Sequence, residues 1–275
     1  MNFAIDELLL LALREDIGTG DITTSCCVSE SAVVSGVFIA KESGVICGLE
    51  VTARVFSLLD KNVTVTPLVA DGDSVVAGDI IAKISGPARS VLTGERTALN
   101  LLQHLSGIAT RTADAVKAVS GTKVRITDTR KTVPGMRALA KYAVRCGGGS
   151  NHRFNLSDGV LIKDNHIVAS GGIENAVAAA RENCPHTLKI EVETETIEQV
   201  TEAIRAGADI IMLDNMTIET MAEAVKIIGG RAICEASGNM GERDLKEIAQ
   251  TGVDYISIGA LTHSVKAFDI SLKFT

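Results

Sequence analysis

Three carboxylates, Glu193, Asp214 and Glu235, follow one another at intervals of 21 residues, each closing a short apolar run. A beat of that length is one strand plus one crossover helix, and strands joined by crossover helices lie parallel. The runs Val124–Ile126, Val160–Ile162, Leu188–Val192, Ile210–Leu213, Ala232–Cys234 and Tyr255–Ile258 read as six buried strands. Helices are predicted over Met136–Cys146, Ile173–Cys184, Ile197–Ala206, Ile218–Ile228 and Glu242–Gln250, with Gly147, Gly207, Gly229 and Gly252 placed as left-handed caps. A complete eight-unit barrel takes about 250 residues. Residues 109–264 hold only six strands, so the expectation is an incomplete parallel α/β barrel carrying its chemistry at the carboxyl ends of the strands.

The first third has a different rhythm. Residues 4–14 read as one amphipathic helix, followed by β-type runs at Val33–Ala40, Val45–Cys47, Val63–Val69 and Ile80–Ile84. This predicts a small N-terminal α/β sandwich domain over residues 1–108, with a C-terminal helix of about 265–275 packing back on it. The turn-rich stretch Asp71–Asp79 raises a biotinyl or lipoyl carrier as an alternative. That reading needs a lysine at a hairpin tip, and Lys83 lies inside an apolar run.

Composition narrows the partners. The 275 residues are 46% hydrophobic and 22% charged, which excludes a disordered chain. With 27 basic against 34 acidic residues the net charge is -7, unfavourable for nucleic acid or an anionic membrane. The early apolar run Leu8–Leu13 falls far short of the ~20 residues of a membrane span. Six cysteines with no CxxC pair suit idle thiols in a reducing cytoplasm.

Every predicted strand end is polar or glycine. The first carries Asp128, Thr129, Arg130 and Lys131; the second Lys163, Asp164, Asn165 and His166. Glu193, Asp214, Glu235 with Ser237 and Gly238, and Gly259 with His263 follow in turn. Charge is sorted along this series. Residues 130–163 hold seven basic side chains against Asp158 alone, whereas residues 191–223 hold nine acids against Arg205. Most of those acids read as solvated helix faces, with Glu193 and Asp214 the exceptions at strand ends. Arg137, Lys141 and Arg145 recur at helical spacing and read as a surface or interface stripe. The remaining cations facing two carboxylates suit an anionic substrate and a divalent ion such as Mg²⁺, which takes a few hard oxygen ligands plus substrate.

The run Gly147–Arg153, a triple glycine followed by Ser150, Asn151, His152 and Arg153, is either a hinge or a close approach of backbone to ligand. In the second case a protonated His152 donates to an anion and Arg153 grips a carboxylate through two hydrogen bonds. The Ser237-Gly238-Asn239 and Gly259–Ser264 loops stand where barrels commonly cradle phosphate.

At these residues the chain resembles the quinolinate phosphoribosyltransferases. The resemblance runs through Glu15-Asp16-Ile17-Gly18 to Thr24, Gly94-Glu95-Arg96-Thr97-Ala98-Leu99-Asn100, Asp128–Thr132, Gly147–Arg153, Leu161–His166, Glu191-Val192-Glu193, Asp214-Asn215-Met216, Glu235–Gly238 and Gly252–Ser264. Val133 replaces a frequent threonine, and Asn239 a frequent glycine. The resemblance implies Mg²⁺-dependent transfer of phosphoribose from phosphoribosyl pyrophosphate to quinolinate, with loss of the 2-carboxylate as CO₂, giving nicotinate mononucleotide. It further implies that Arg130, His152, Arg153 and Lys163 hold the dicarboxylate and Lys131 serves the phosphoribosyl donor. Glu193 and Asp214 would serve metal and ribose, with Ser237, Gly238, Gly259, Ala260 and His263 around the 5′-phosphate. Arg96 would act across a homodimer with shared active sites, and a higher assembly stays open. Rivals are a nicotinate phosphoribosyltransferase, the related molybdenum-transport-associated protein, and a silent binding or carrier protein.

Overall fold

The computed structural model describes residues 3–275, with side chains from Ile5 onward. In chain order the elements begin with α1 (Phe3–Ile17), α2 (Ile22–Cys27), β1 (Val33–Ala40), β2 (Gly44–Val45), α3 (Leu49–Leu59), β3 (Thr64–Pro67), β4 (Ser74–Val75) and β5 (Ile80–Pro87). Next come α4 (Ala88–Ala118), β6 (Arg125–Thr127), α5 (Arg137–Cys146), β7 (Val160–Ile162), α6 (Asp164–Ser170) and α7 (Ile173–Asn183). The chain continues with β8 (Ile190–Thr194), α8 (Ile197–Ala206), β9 (Ile210–Asp214), α9 (Ile218–Ile228) and β10 (Ile233–Ser237). It closes with α10 (Leu245–Gln250), β11 (Tyr255–Ser257), α11 (Ala260–His263) and β12 (Ile270–Phe274). No helix among the described residues is long and apolar enough to cross a membrane. The elements form two compact units, one comprising residues up to Ala113, Val133–Gly148 and Ser264–Thr275, the other Asp114–Thr132 and Gly149–His263.

The first unit is built on a four-stranded antiparallel sheet of order β12-β1-β5-β3. Period-two burial runs through it: Phe38 and Ala40 of β1 and Ile84 of β5 are buried, whereas Lys83 is exposed. Lys83 sits mid-strand between Val37 and Thr66, not at a hairpin tip, which removes the carrier reading. The C-terminal helix expected over 265–275 is instead strand β12. Ile270–Phe274 alternates in polarity, and β1 offers it a free edge close to Gly36, where a Cβ would lie 2.9 Å from the Lys273 carbonyl.

The helix expected at Met136–Cys146 forms as α5, but Gly147 is not its left-handed residue. Its φ is -78°, and Gly148 takes the positive angle of +83°. A Cβ on Gly147 would run into the Ala109 carbonyl and Thr112 of α4, so this glycine serves helix packing and not a ligand. Of the expected surface or interface stripe, Lys141 is buried, Arg137 half-buried and Arg145 exposed.

The second unit holds the parallel sheet, in the order β6-β11-β10-β9-β8-β7. β6 and β7 stay unpaired with each other, so the barrel is open at that seam. One set of alternate residues, including Val192, Ile211, Leu213, Ala236 and Ile256, is buried and apolar. The other set carries Glu191 and Glu193 on β8, Met212 and Asp214 on β9, Glu235 and Ser237 on β10, and Tyr255 and Ser257 on β11. Register holds these in rows, with Met212 opposite both Glu193 and Glu235, and Asp214 opposite Ser237. Helices α8 and α9 are capped by Thr196 and Thr217 and end in the left-handed Gly207 and Gly229. The single helix expected over Glu242–Gln250 is broken: Met240–Glu242 forms a 3-10 turn, and α10 restarts at Leu245 under an Asp244 cap.

Candidate active site

A cavity of about 380 Å³ lies at the carboxyl ends of the strands of the second unit. Arg130 and Lys131 reach it from the segment after β6, His152 and Arg153 from the loop before β7, and Lys163 from the end of β7. Glu193, Asp214 and Ser237 face them from β8, β9 and β10. Eight of the sequence-predicted site residues therefore meet in one place. Gly238, Gly259, Ala260 and His263 do not line this cavity. Arg96 is an exposed residue of α4 in the first unit, two turns beyond the helix start at which the sequence put it, and does not line it either.

The cations are crowded. Burial first, and the neighbouring Arg130 charge second, pull Arg153 below the ordinary arginine range, against an opposing pull from Glu191. Two guanidinium groups held this way favour an anion between them. Arg153 is oriented by a hydrogen bond from its Nη1 to the Gly159 carbonyl at 2.8 Å, while its buried Nε has no partner. Lys163 Nζ donates to Glu193 Oε2 at 2.7 Å. Lys131 lies over the Gly259 turn, where a Cβ would come within 3.0 Å of its Cδ, and its carbonyl accepts from Thr262 Oγ1 at 2.7 Å. Glycine at 259 thus leaves room for the Lys131 stem.

Asp214 accepts from Asn215 Nδ2 at 2.6 Å, and Asn215 itself has a left-handed φ of +54°. Gly238, at φ +91°, is pressed against it: a Cβ there would sit 2.6 Å from the Asn215 backbone nitrogen. Asn239 also has a left-handed φ, +52°, a conformation that asparagine tolerates better than other side chains.

His152 differs from its expected part. Its ring lines the cavity, but its Nδ1 accepts the backbone N–H of Arg153 at 2.8 Å, which places the ring proton on Nε2. That nitrogen lies 3.1 Å from Glu191 Oε2 and 3.6 Å from Glu235 Oε1. Glu191, read from sequence as one acid of a solvated run, is buried, as is Glu235. Burial, and then the Glu191 charge, push the Glu235 carboxyl up to about 7 against the pull of His152. Asp128 is the other missed contributor. Fully buried at the end of β6, it accepts the His152 backbone N–H at 2.9 Å and Asn151 Nδ2 at 2.6 Å, pinning the loop that presents His152 and Arg153. Its position after a strand was visible in the sequence; its aim toward residues 151 and 152 was not.

Glu193 and Asp214, on adjacent strands and both lining the cavity, carry the hard carboxylate oxygens that could hold Mg²⁺ together with substrate oxygens. Cations and carboxylates lining one cavity can bind a dianion beside a sugar phosphate and stabilise positive charge developing on the sugar.

Known proteins resemble the chain in both of its halves. The family described as "Quinolinate phosphoribosyl transferase, C-terminal domain" matches residues 108–273, and its N-terminal counterpart matches residues 21–106. The chain is 49% identical over 274 residues to a probable carboxylating nicotinate-nucleotide pyrophosphorylase of Bacillus subtilis, covering 100% of this chain and 94% of that protein. It is 44% identical over 270 residues to the carboxylating nicotinate-nucleotide pyrophosphorylase of Mycobacterium leprae, covering 95% and 94%. Among solved structures, NadC from Streptococcus pyogenes superposes with a TM-score of 0.94 at 46% identity over 100% of this chain and 98% of that one. The nicotinate-nucleotide pyrophosphorylase from Francisella tularensis gives 0.95 at 44% identity over 99% and 96%. Human nicotinic acid phosphoribosyltransferase, at 13% identity over 100% of this chain and 74% of that one with a TM-score of 0.65, shares the fold alone. With both of its domains matched and the two relatives similar over 94% of their lengths, the chain belongs to the quinolinate phosphoribosyltransferase family.

Proposed function

We propose that this protein transfers phosphoribose from phosphoribosyl pyrophosphate to the ring nitrogen of quinolinate and decarboxylates the adduct to nicotinate mononucleotide, a step of de novo NAD synthesis. The observation that carries the reading is the pairing, in one cavity, of Arg130 and Arg153 with the carboxylates of Glu193 and Asp214. The two guanidinium groups take the substrate carboxylates, and a ligand with a single carboxylate would leave that cationic wall incompletely paired. This favours quinolinate over nicotinate.

In the transfer step the ring nitrogen forms a bond to C1′ of the ribose as the bond from C1′ to pyrophosphate breaks. Glu193 and Asp214 face the sugar and stabilise its oxocarbenium character, while Lys131 stabilises charge on the donor's phosphates and Lys163 joins the arginines on the quinolinate carboxylates. The Ser237-Gly238 and Gly259-Ala260 turns, with His263 beside the latter, receive the 5′-phosphate. Mg²⁺ held by Glu193 and Asp214 would neutralise the leaving pyrophosphate. The protein works as a homodimer in the cytoplasm, with Arg96 completing the partner's site.

The test supplies purified protein with carboxyl-labelled quinolinate, phosphoribosyl pyrophosphate and Mg²⁺, and in parallel with nicotinate. Release of CO₂ and formation of nicotinate mononucleotide from quinolinate alone is the expected result. Turnover of nicotinate in place of quinolinate would overturn the assignment.

A further inference from the structure

The inner face of the parallel sheet borders a second cavity of about 380 Å³, placed toward the amino ends of the strands among Leu188, Ile210, Ile233 and Tyr255. His152, Arg153 and Glu235 line both this cavity and the active-site cavity, so they form the partition between them. Glu235 is only 4% exposed, yet its Oε1 has no hydrogen-bond partner, and neither has Oε1 of the equally buried Glu191. One oxygen of each carboxylate and a nitrogen of His152 lie within 4.8 Å of one another.

Such a trio could suit a metal ion, but the imidazole argues against one. Because Nδ1 accepts the Arg153 N–H, the proton sits on Nε2, which then has no lone pair to give a metal. A proton is the better occupant, since two neighbouring buried carboxylates cannot both ionise without large cost. The charged and titratable groups facing Glu235 are Glu191 from β8, His152 and Arg153 from the loop before β7, and Tyr255 from β11, with only Met212 opposite it on β9.

We propose that Glu235 is the acid that protonates the ring carbon left bare by loss of the 2-carboxylate, and that the second cavity is the route by which it is reloaded from solvent. This rests on the decarboxylating reaction assigned above. The bond from C2 to the carboxylate carbon breaks, CO₂ leaves, and the electron pair stays on C2. The Glu235 O–H bond then breaks, its proton forms the new C2–H bond, and the resulting carboxylate takes a proton from water in the second cavity. One proton is consumed per turnover, and neither substrate supplies it. A carboxyl pushed up to about 7 still holds that proton at neutral pH.

Rapid-quench measurements of pyrophosphate and CO₂ release separate the two steps. In Glu235→Gln pyrophosphate release should persist while CO₂ release slows by about 100-fold or more, with the decarboxylatable mononucleotide accumulating. Glu235→Asp should recover part of the loss. In the unaltered protein the CO₂ step should fall as pH rises past about 7, a limb the glutamine variant lacks. If the two products stay in step in the glutamine variant with an unchanged pH profile, the proposal is wrong. Should that variant not fold, Glu191→Gln serves: loss of its charge should move the CO₂ limb down by about one pH unit or more, and an unmoved limb overturns the proposal. If the unaltered protein releases pyrophosphate but no CO₂, or neither, the assigned reaction falls and the proposal with it.

Discussion

Lys163 Nζ and Glu193 Oε2 stand 2.7 Å apart, an ion pair that ties the carboxyl end of β7 to that of β8. The lysine side chain is 45% exposed and the glutamate 14%, so water screens the pair and it adds no more than about 1 kcal/mol to the fold. In the proposed reaction it holds a cation and an anion at the site until substrates separate them. Lys163→Met should therefore leave Tm within the range of an exposed pair, about 1 kcal/mol, while kcat/KM falls about 100-fold or more. Thermal melts beside steady-state kinetics check this. A stability loss large enough to account for the activity loss would make the pair structural.

Asp128 is a positioning residue, fully buried with carboxylate oxygens on the His152 N–H and the Asn151 amide. Asp128→Ala strands both donors and should cost about 2–4 kcal/mol. Asp128→Asn keeps the shape and an acceptor, so it should fold but present Arg153 less well. Its KM for quinolinate should rise more than its KM for phosphoribosyl pyrophosphate. Equal increases for both would separate Asp128 from the dicarboxylate loop.

Glu235 gives stability a pH dependence whose sign can be worked out. Its folded value is raised from 4.5 to about 7, so the folded state holds the proton more tightly than the unfolded chain. The stabilisation is complete below 4.5 and is lost as pH rises through about 7. Glu235→Gln has no proton to lose. Its Tm relative to the parent should climb between about pH 5 and pH 8, by a free energy on the order of 2 kcal/mol. A flat difference across that range would mean that the buried carboxyl titrates normally.

Arg153→Ala and Glu193→Ala should divide the substrates. The first removes a cation from the dicarboxylate wall and should weaken quinolinate by about 1.5–3 kcal/mol while sparing phosphoribosyl pyrophosphate. The second removes a sugar-facing carboxylate and should lower turnover with a smaller effect on quinolinate binding. Calorimetry with each substrate alone decides it. Equal losses in both variants would contradict the two-walled partition.

The 21-residue beat made the parallel sheet legible, because crossover helices and short buried strands leave a length signature that single side chains barely perturb. What was hidden was direction. Glu191-Val192-Glu193 reads as acid near acid in a nine-acid window, yet a strand period of two turns both carboxylates to the inner face, where one is buried and the other meets Lys163. Lys141 shows the same limit on a helix, since spacing marks a stripe without saying what covers it. Ile270–Phe274 became a strand because β1 had an edge to pair, a long-range fact absent from residues 265–275 themselves. The Gly147–Gly149 run served two purposes. Gly147 answers to α4 and Gly148 to backbone angle, so a composition signal that looked like one feature was split by packing.

Arg96 is an exposed residue of α4 in the first unit, and in the proposed homodimer it acts on the partner's site. A two-fold dimer would repeat the contact at both sites. Mixing inactive Arg96→Ala with inactive Lys163→Ala protein, under conditions that allow exchange, tests this directly. In a mixed dimer one site carries both lesions and the other carries neither. Random reassortment makes half the dimers mixed, and half of their sites are intact, so activity should return to about one quarter of the unaltered level. Exchange confirmed by mass spectrometry with no recovery would mean that Arg96 acts within its own chain or not at all.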